Sequence, residues 1–274
     1  MAAYAGWLVC TLAFPWTALL GGFIAAWHSS LQHETIHGHP TRWRAVNAAI
    51  GFLPVSLWLP YGIYRETHLA HHRCPRITDP VSDPESFYET EAGWQRMGRV
   101  RQAFLRAHMT LVGRLILGPP YVVARLWLSE LARFLRGDFR NARIWLGHAA
   151  GVAAVLVWVI GVCGIPLWLY LLAFVYPGVS LTLLRSFAEH RAHPALGHQT
   201  GIVTTGRLMS LLYLNNNLHT LHHDNPRLPW FAYRRADVAG DTYQYSGYIE
   251  LLRRYAFWPK EEPVHPAYGR RSPH

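Results

Sequence analysis

No lysine or arginine occurs from Met1 to Thr41, and none lies between Arg143 and Arg185. Charged residues of both signs make up only 15% of the chain, whereas an average soluble domain carries about 25%. Cysteine is equally sparse: Cys10, Cys74 and Cys163 are scattered, with no CxxC pair. That excludes a disulfide framework and a zinc ribbon. The first 27 residues lack the basic region of a secretory signal, so they read as a span retained in the protein. Mean hydropathy is only +0.04, too low for a chain made wholly of spans. A few spans plus a sizeable polar region, in one domain covering residues 1–274, fit this balance.

The positive charge is concentrated where the apolar stretches are not. Fifteen arginines lie between Arg42 and Arg143, and eleven lysines or arginines lie from Arg185 onward. The net charge of +10 is therefore the pattern of a membrane protein with its basic loops on the cytoplasmic side. A nucleic-acid partner is not expected.

The expected architecture is all-α and integral to the membrane, with about three spans. Residues 6–27, 144–162 and 167–184 are apolar and long enough to cross, the last two as a hairpin broken near Gly161–Pro166. Residues 46–64 carry Pro54 and Pro60 and read as re-entrant or interfacial. Residues 111–128 are interrupted by Arg114, Pro119, Pro120 and Arg125, and they too read as interfacial, with arginines snorkelling to headgroups. This places the N-terminus outside and the segments 29–143 and 185–274 in the cytoplasm, with the last ten residues disordered.

What the chain has in abundance is histidine, seventeen in all. His33 and His37 stand four apart, on one helical face. His68, His71 and His72 stand at i, i+3 and i+4, and His219, His222 and His223 repeat that spacing. His190 follows the second half of the hairpin. Crowded neutral imidazoles gain nothing from proximity and protonated ones repel, but a metal removes both problems. Eight imidazoles exceed the needs of one ion, so two metals are the economical reading. All three clusters adjoin apolar segments on the same expected face, forming a histidine-rich cap. Glu34, Glu189, Asn216 and Asp224 neighbour them and are candidates to orient ring N–H groups. His148 has no histidine at i±3 or i±4 and reads as a membrane-interface residue.

The segments HETIH, HLAHH and LHTLHH resemble, in order and spacing, the three histidine boxes of membrane fatty acid desaturases and related hydroxylases. The resemblance runs from about Trp27 to Asn225. It implies two iron ions, with O₂ as co-substrate and the ligand set His33, His37, His68, His71, His72, His190, His219, His222 and His223. His190 enters this set from the resemblance, at the position of a histidine ahead of the third box. Two departures stand out: Ser186 replaces the asparagine of the acyl-CoA branch, and the segment before the first box is short. The implied activity is fatty acid (acyl-lipid) desaturation. An unactivated methylene has no acidic proton, so a metal- and O₂-derived oxidant has to start the reaction. Two electrons come from a partner of the ferredoxin, rubredoxin or cytochrome b5 type, docking on the basic face. The expected substrate is a lipid acyl chain or other long hydrocarbon, and the expected location is the bacterial inner membrane, with the site on its cytoplasmic side.

Three rivals compete. Alkane, carotenoid and sphingolipid hydroxylases or ketolases carry similar boxes. His33-Glu34-x-x-His37 also fits the HExxH pattern of zinc proteases, although that reading leaves the other two clusters unexplained. A membrane metal or lipid binder without catalysis is the third.

Overall fold

The computed structural model describes residues 1–193, 199–233 and 242–268. It is mostly helical, and three of its helices are long and apolar enough to cross a membrane: Leu111–Leu135, Ala142–Val162 and Leu167–Glu189. The N-terminal apolar stretch is not among them. It forms α1 (Ala2–Leu12) and α2 (Ala18–Ile36) instead of one continuous rod over 6–27. Pro15 has no N–H to extend the first helix, and the chain folds back there, with the Thr17 hydroxyl donating to the Cys10 carbonyl at 2.6 Å. Tyr4 therefore meets His28, 3.0 Å from its Nε2. The single span expected over 6–27 is thus a hairpin, which returns α1 toward the histidine end of α2.

Residues 46–64 contain α3 (Arg44–Phe52), an irregular stretch through Pro54 and Pro60, and the start of α4 (Tyr61–Arg73). The irregular backbone is partly buried, and side chains satisfy its carbonyls. Tyr170 donates to Val55 at 2.6 Å, His148 to Leu57 at 3.0 Å and Trp127 to Trp58 at 3.0 Å. His148 is thus an internal tie, 5% exposed, and not an interface residue.

After the short α5 (Glu91–Gln95) and α6 (Arg99–His108), residues 111–128 belong to one long helix, α7 (Leu111–Leu135). The expected interruption at Pro119 and Pro120 does not occur. Two prolines inside a helix free the carbonyls of Leu115 and Ile116, four residues back. The Ser180 hydroxyl donates to Leu115 O at 2.8 Å, and the Tyr176 hydroxyl donates to Ile116 O at 2.7 Å. A neighbouring helix supplies the lost hydrogen bonds, as a lipid environment requires.

That neighbour belongs to the expected hairpin, α8 (Ala142–Val162) and α9 (Leu167–Glu189), which turns at Gly164 with φ +66°. Helices α2 and α9 run side by side in the same direction along a seam of small residues. A Cβ on Gly22 would lie 2.6 Å from Pro177, and one on Gly178 would lie 2.6 Å from Ala25. This close approach delivers the end of α2 and the end of α9 to one place. The core beneath them includes Trp7, Ile24, Val55, Val155, Tyr170 and Phe174, while Leu146, Val157 and Leu172 face outward. The remaining elements are β1 (Gly201–Val203), α10 (Arg207–Leu212), α11 (His219–Asp224), β2 (Tyr243–Tyr245), paired parallel to β1, and α12 (Tyr248–Tyr255). Of the tail expected to be disordered, residues 269–274 lie outside the described ones. His265 is fully buried, and the Tyr268 hydroxyl donates to Asp79 at 2.9 Å, so the tail is packed as far as Tyr268.

Candidate metal centre

Three helices and two cap residues carry the histidines. His33 lies in the last turn of α2 and His37 caps it. His68, His71 and His72 share a face of α4, and His219, His222 and His223 share a face of α11. His190 follows α9 directly, in an extended conformation. The structure brings all nine together in two groups. His33, His37, His68, His72 and His222 form one, and His71, His190, His219 and His223 form the other. Within each group one nitrogen from each ring lies within 4.8 Å of those of the others.

The hydrogen bonds fix which nitrogen faces inward. His68 Nδ1 donates to Glu85 at 3.1 Å, and His71 Nδ1 donates to Asp83 at 2.9 Å. His219 Nδ1 donates to Asn216 Oδ1 at 3.1 Å, with Glu189 at 3.4 Å. His222 Nδ1 donates to the Tyr233 oxygen at 3.1 Å. A neutral imidazole with its proton on Nδ1 has a lone pair on Nε2. These lone pairs converge: His68 and His37 Nε2 are 3.0 Å apart, His222 and His72 Nε2 3.1 Å, and His219 and His190 Nε2 3.0 Å. His33 and His71 Nε2 are buried and bond nothing among the described residues. Converging lone pairs repel unless a cation lies among them, so the donor set fits two metal ions.

Electrostatics keeps most of these rings neutral, as ligation requires. Burial, then the neighbouring His68 and His71, pulls His72 down to about 3. His190, His219, His222 and His223 are held well below the ordinary histidine range, first by burial and then by a neighbouring imidazole: His71 for His190, His37 for His222, and His190 for both His219 and His223. His71 is the exception. Burial pulls it down, but its hydrogen bond to Asp83 and the nearby Glu85 outweigh that and raise it.

Of the expected orienting residues, Asn216 and Glu189 meet His219, and Arg185 backs Glu189 at 3.0 Å. Glu34 turns away: its Oε2 accepts from the Trp230 amide at 3.2 Å, and its Oε1 stays 3.9 Å from His33. Asp224 is exposed and orients no imidazole among the described residues. Sequence reasoning missed Asp83, Glu85 and Tyr233. The first two come from the loop after α4, where Thr78 N donates to Asp83 at 2.7 Å. The Asp79-Pro80 and Asp83-Pro84-Glu85 run, close behind the second box, is the signal that could have found them.

A model of the fatty acid desaturase family matches residues 5–250. The chain belongs to the fatty acid desaturase family. Membership makes it a desaturase-like lipid oxidoreductase, and the three apolar helices agree with a membrane protein. No curated protein matches the chain.

Proposed function

We propose that the protein is an O₂-dependent fatty acid (acyl-lipid) desaturase whose nine histidines hold two irons, five imidazoles on one and four on the other. The observation that carries this reading is the sorting of the nine rings into two groups with Nε2 inward, together with a family match over most of the chain. The ligand number and the family favour iron; imidazole by itself would also suit zinc. Bound there, the pair would supply the O₂ chemistry that an unactivated C–H bond needs. The overall change is balanced: two adjacent CH₂ groups lose two hydrogens, two external electrons and two protons are added, and O₂ leaves as two waters.

The protein's own residues do the positioning. Asp83, Glu85, Asn216 and Tyr233 fix the ring tautomers and orientations. A cavity of about 780 Å³ reaches His71 and His190, within the roughly 300–1,000 Å³ of small-molecule sites. Leu59, Ile63, Val122, Val179 and Leu183 give it apolar wall, suited to a hydrocarbon chain. Arg42, Arg44, Arg65, Arg73 and Arg76 follow the first two boxes, whereas the turns at 13–17 and 163–166 carry no base. This asymmetry supports a cytoplasmic site in a bacterial inner membrane and a docking face for an acidic ferredoxin, rubredoxin or cytochrome b5-type donor.

The protease reading is disfavoured by Glu34, whose carboxylate bonds the Trp230 amide instead of facing the histidines. Hydroxylation or ketolation shares the first hydrogen abstraction and is the second reading, motivated by Ser186 in place of the acyl-CoA branch's asparagine. Expression with a reductase system, followed by mass spectrometry of total fatty acids and pigments, separates them. Loss of two hydrogens supports desaturation, gain of one oxygen supports hydroxylation, and dependence on one zinc with no iron would overturn both.

A further inference from the structure

The cavity beside His71 and His190 is not uniformly apolar. Arg114, Arg125 and Lys260 line it around Phe87 and Phe187. Among the described residues none of these three cations has a carboxylate within 4.0 Å, although Arg133, Arg140 and Arg185 all do. Arg114 is only 4% exposed. Its Nε donates to the His108 carbonyl at 3.1 Å, and its Nη2 lies 3.8 Å from Met109 Sδ. Its Nη1 makes no hydrogen bond among the described residues, and the guanidinium stands 4.2 Å over the Phe87 ring. Arg125 donates to the Ser86 carbonyl at 2.8 Å. Lys260, the only lysine in the chain, donates to the carbonyls of Phe187 and His190 at 2.7 and 2.5 Å.

The acids nearby are committed elsewhere. Glu261 accepts from the Tyr88 hydroxyl and from Ala192 N at 3.0 Å. Asp83 and Glu85 hold His71 and His68. Carbonyl and ring contacts give these cations no ion pair, Glu261 acts on Arg114 and Lys260 only from beyond 4.0 Å and does not offset the effect of burial, and burying the Arg114 charge is costly. Arg114 and Arg125 also belong to α7, a helix apolar enough to cross a membrane. Ionisable residues in such helices mark substrate paths when they face the protein interior. Arg114 does face inward, so snorkelling to headgroups does not explain it.

We propose that the substrate carries an anionic group, a carboxylate or a phosphate, which Arg114, Arg125 and Lys260 hold while its hydrocarbon chain lies against the apolar wall. Guanidinium groups suit either oxyanion, because their planar N–H donors match two oxygens at once. This rests on the desaturase reading only for the hydrocarbon chain; the anion site stands on the three cations.

The test uses iron-loaded protein in non-ionic detergent. Hexadecanoate, hexadecyl phosphate and hexadecanol compete against radiolabelled hexadecanoate, and oxidised products are assayed alongside. Either anion should bind about tenfold or more tightly than the alcohol, and the tighter one names the head group. Arg125→Gln, at an exposed position where the hydrogen bond at stake is the one to the Ser86 carbonyl, should lower hexadecanoate binding by about tenfold and leave hexadecanol unchanged, with iron content retained. Arg125→Lys should keep most of the preference. Equal binding of hexadecanol and hexadecanoate would overturn the anion site, as would wild-type binding in both Arg125→Gln and Lys260→Gln. Oxidised product without a charge preference would remove the anion site and leave the desaturase reading standing. A charge preference with no oxidised product from any chain would do the reverse.

Discussion

The two histidine groups share α4 and α11 yet are held differently. The group of four, His71, His190, His219 and His223, is fastened by buried charge. Asp83 grips His71, and the pair Arg185–Glu189 stands behind His219. The group of five relies on Glu85, whose side chain is 30% exposed, and on the neutral phenol of Tyr233. Only the group of four reaches the cavity, through His71 and His190. On the proposed reading, the ion with fewer imidazoles has room for a further ligand and faces the substrate. The ion with five is nearly saturated by protein. Rigidity and openness thus coincide at one ion, because an incompletely ligated metal needs its remaining ligands held firmly.

The largest effect expected from this difference is at His71. His71→Ala leaves three imidazoles on the substrate-facing ion and an unpaired Asp83 beside it. Turnover should fall more than about 100-fold, beyond the 10–100-fold typical of losing an orienting partner, and iron should drop from about two per chain toward one. His33→Ala leaves four imidazoles in its group and should be milder in both measures. Iron analysis and product formation in the same membranes check this. A larger loss in His33→Ala would reverse the assignment of roles.

Next is Asp83→Ala, expected to lower activity about 10–100-fold by freeing the His71 ring. Glu85→Gln keeps an acceptor for His68 and should cost several-fold less. Both are read as activity per bound iron, so lost metal and misdirected metal are told apart. Equal losses would mean that buried charge contributes nothing to the grip on the group of four.

The histidines were legible because they obey a local rule: spacings of three and four put side chains on one helical face. Their partners were not, because His71–Asp83 and His222–Tyr233 join helix to loop through space, and no periodicity marks such pairs. The same limit hid the true path of residues 6–27, where composition reads as one span but Pro15 reverses the chain. It also hid the continuity of α7, since Pro119 and Pro120 end a helix only when nothing supplies the two carbonyls they free, and Ser180 and Tyr176 do. The fold class needed no such partners, and the long apolar stretches sufficed.

Tyr233→Phe tests the weaker side of the comparison. It removes only the oxygen that accepts from His222 Nδ1, in a group that keeps all five imidazoles. Activity should fall about two- to fivefold, below the usual range for a charged orienting partner, with iron unchanged by elemental analysis. A loss as large as that of Asp83→Ala would erase the distinction between phenol and carboxylate.

The smallest catalytic effect is expected at His148, and it decides whether the comparison concerns metal at all. His148 is buried, as five of the nine are, and gives up one imidazole on changing to alanine. Its Nε2 donates to the Leu57 carbonyl at 3.0 Å, tying α8 to the irregular stretch between α3 and α4. Removing it leaves that half-buried carbonyl without its donor, at up to about 1–3 kcal/mol. His148→Ala should therefore lower the midpoint of thermal unfolding while leaving iron content and activity per iron at the wild-type level. Thermal melts, iron analysis and turnover on one preparation read all three. Loss of iron in His148→Ala to the extent seen in His71→Ala would show that the contrast between the two histidine groups reports general packing, because this ring touches neither group.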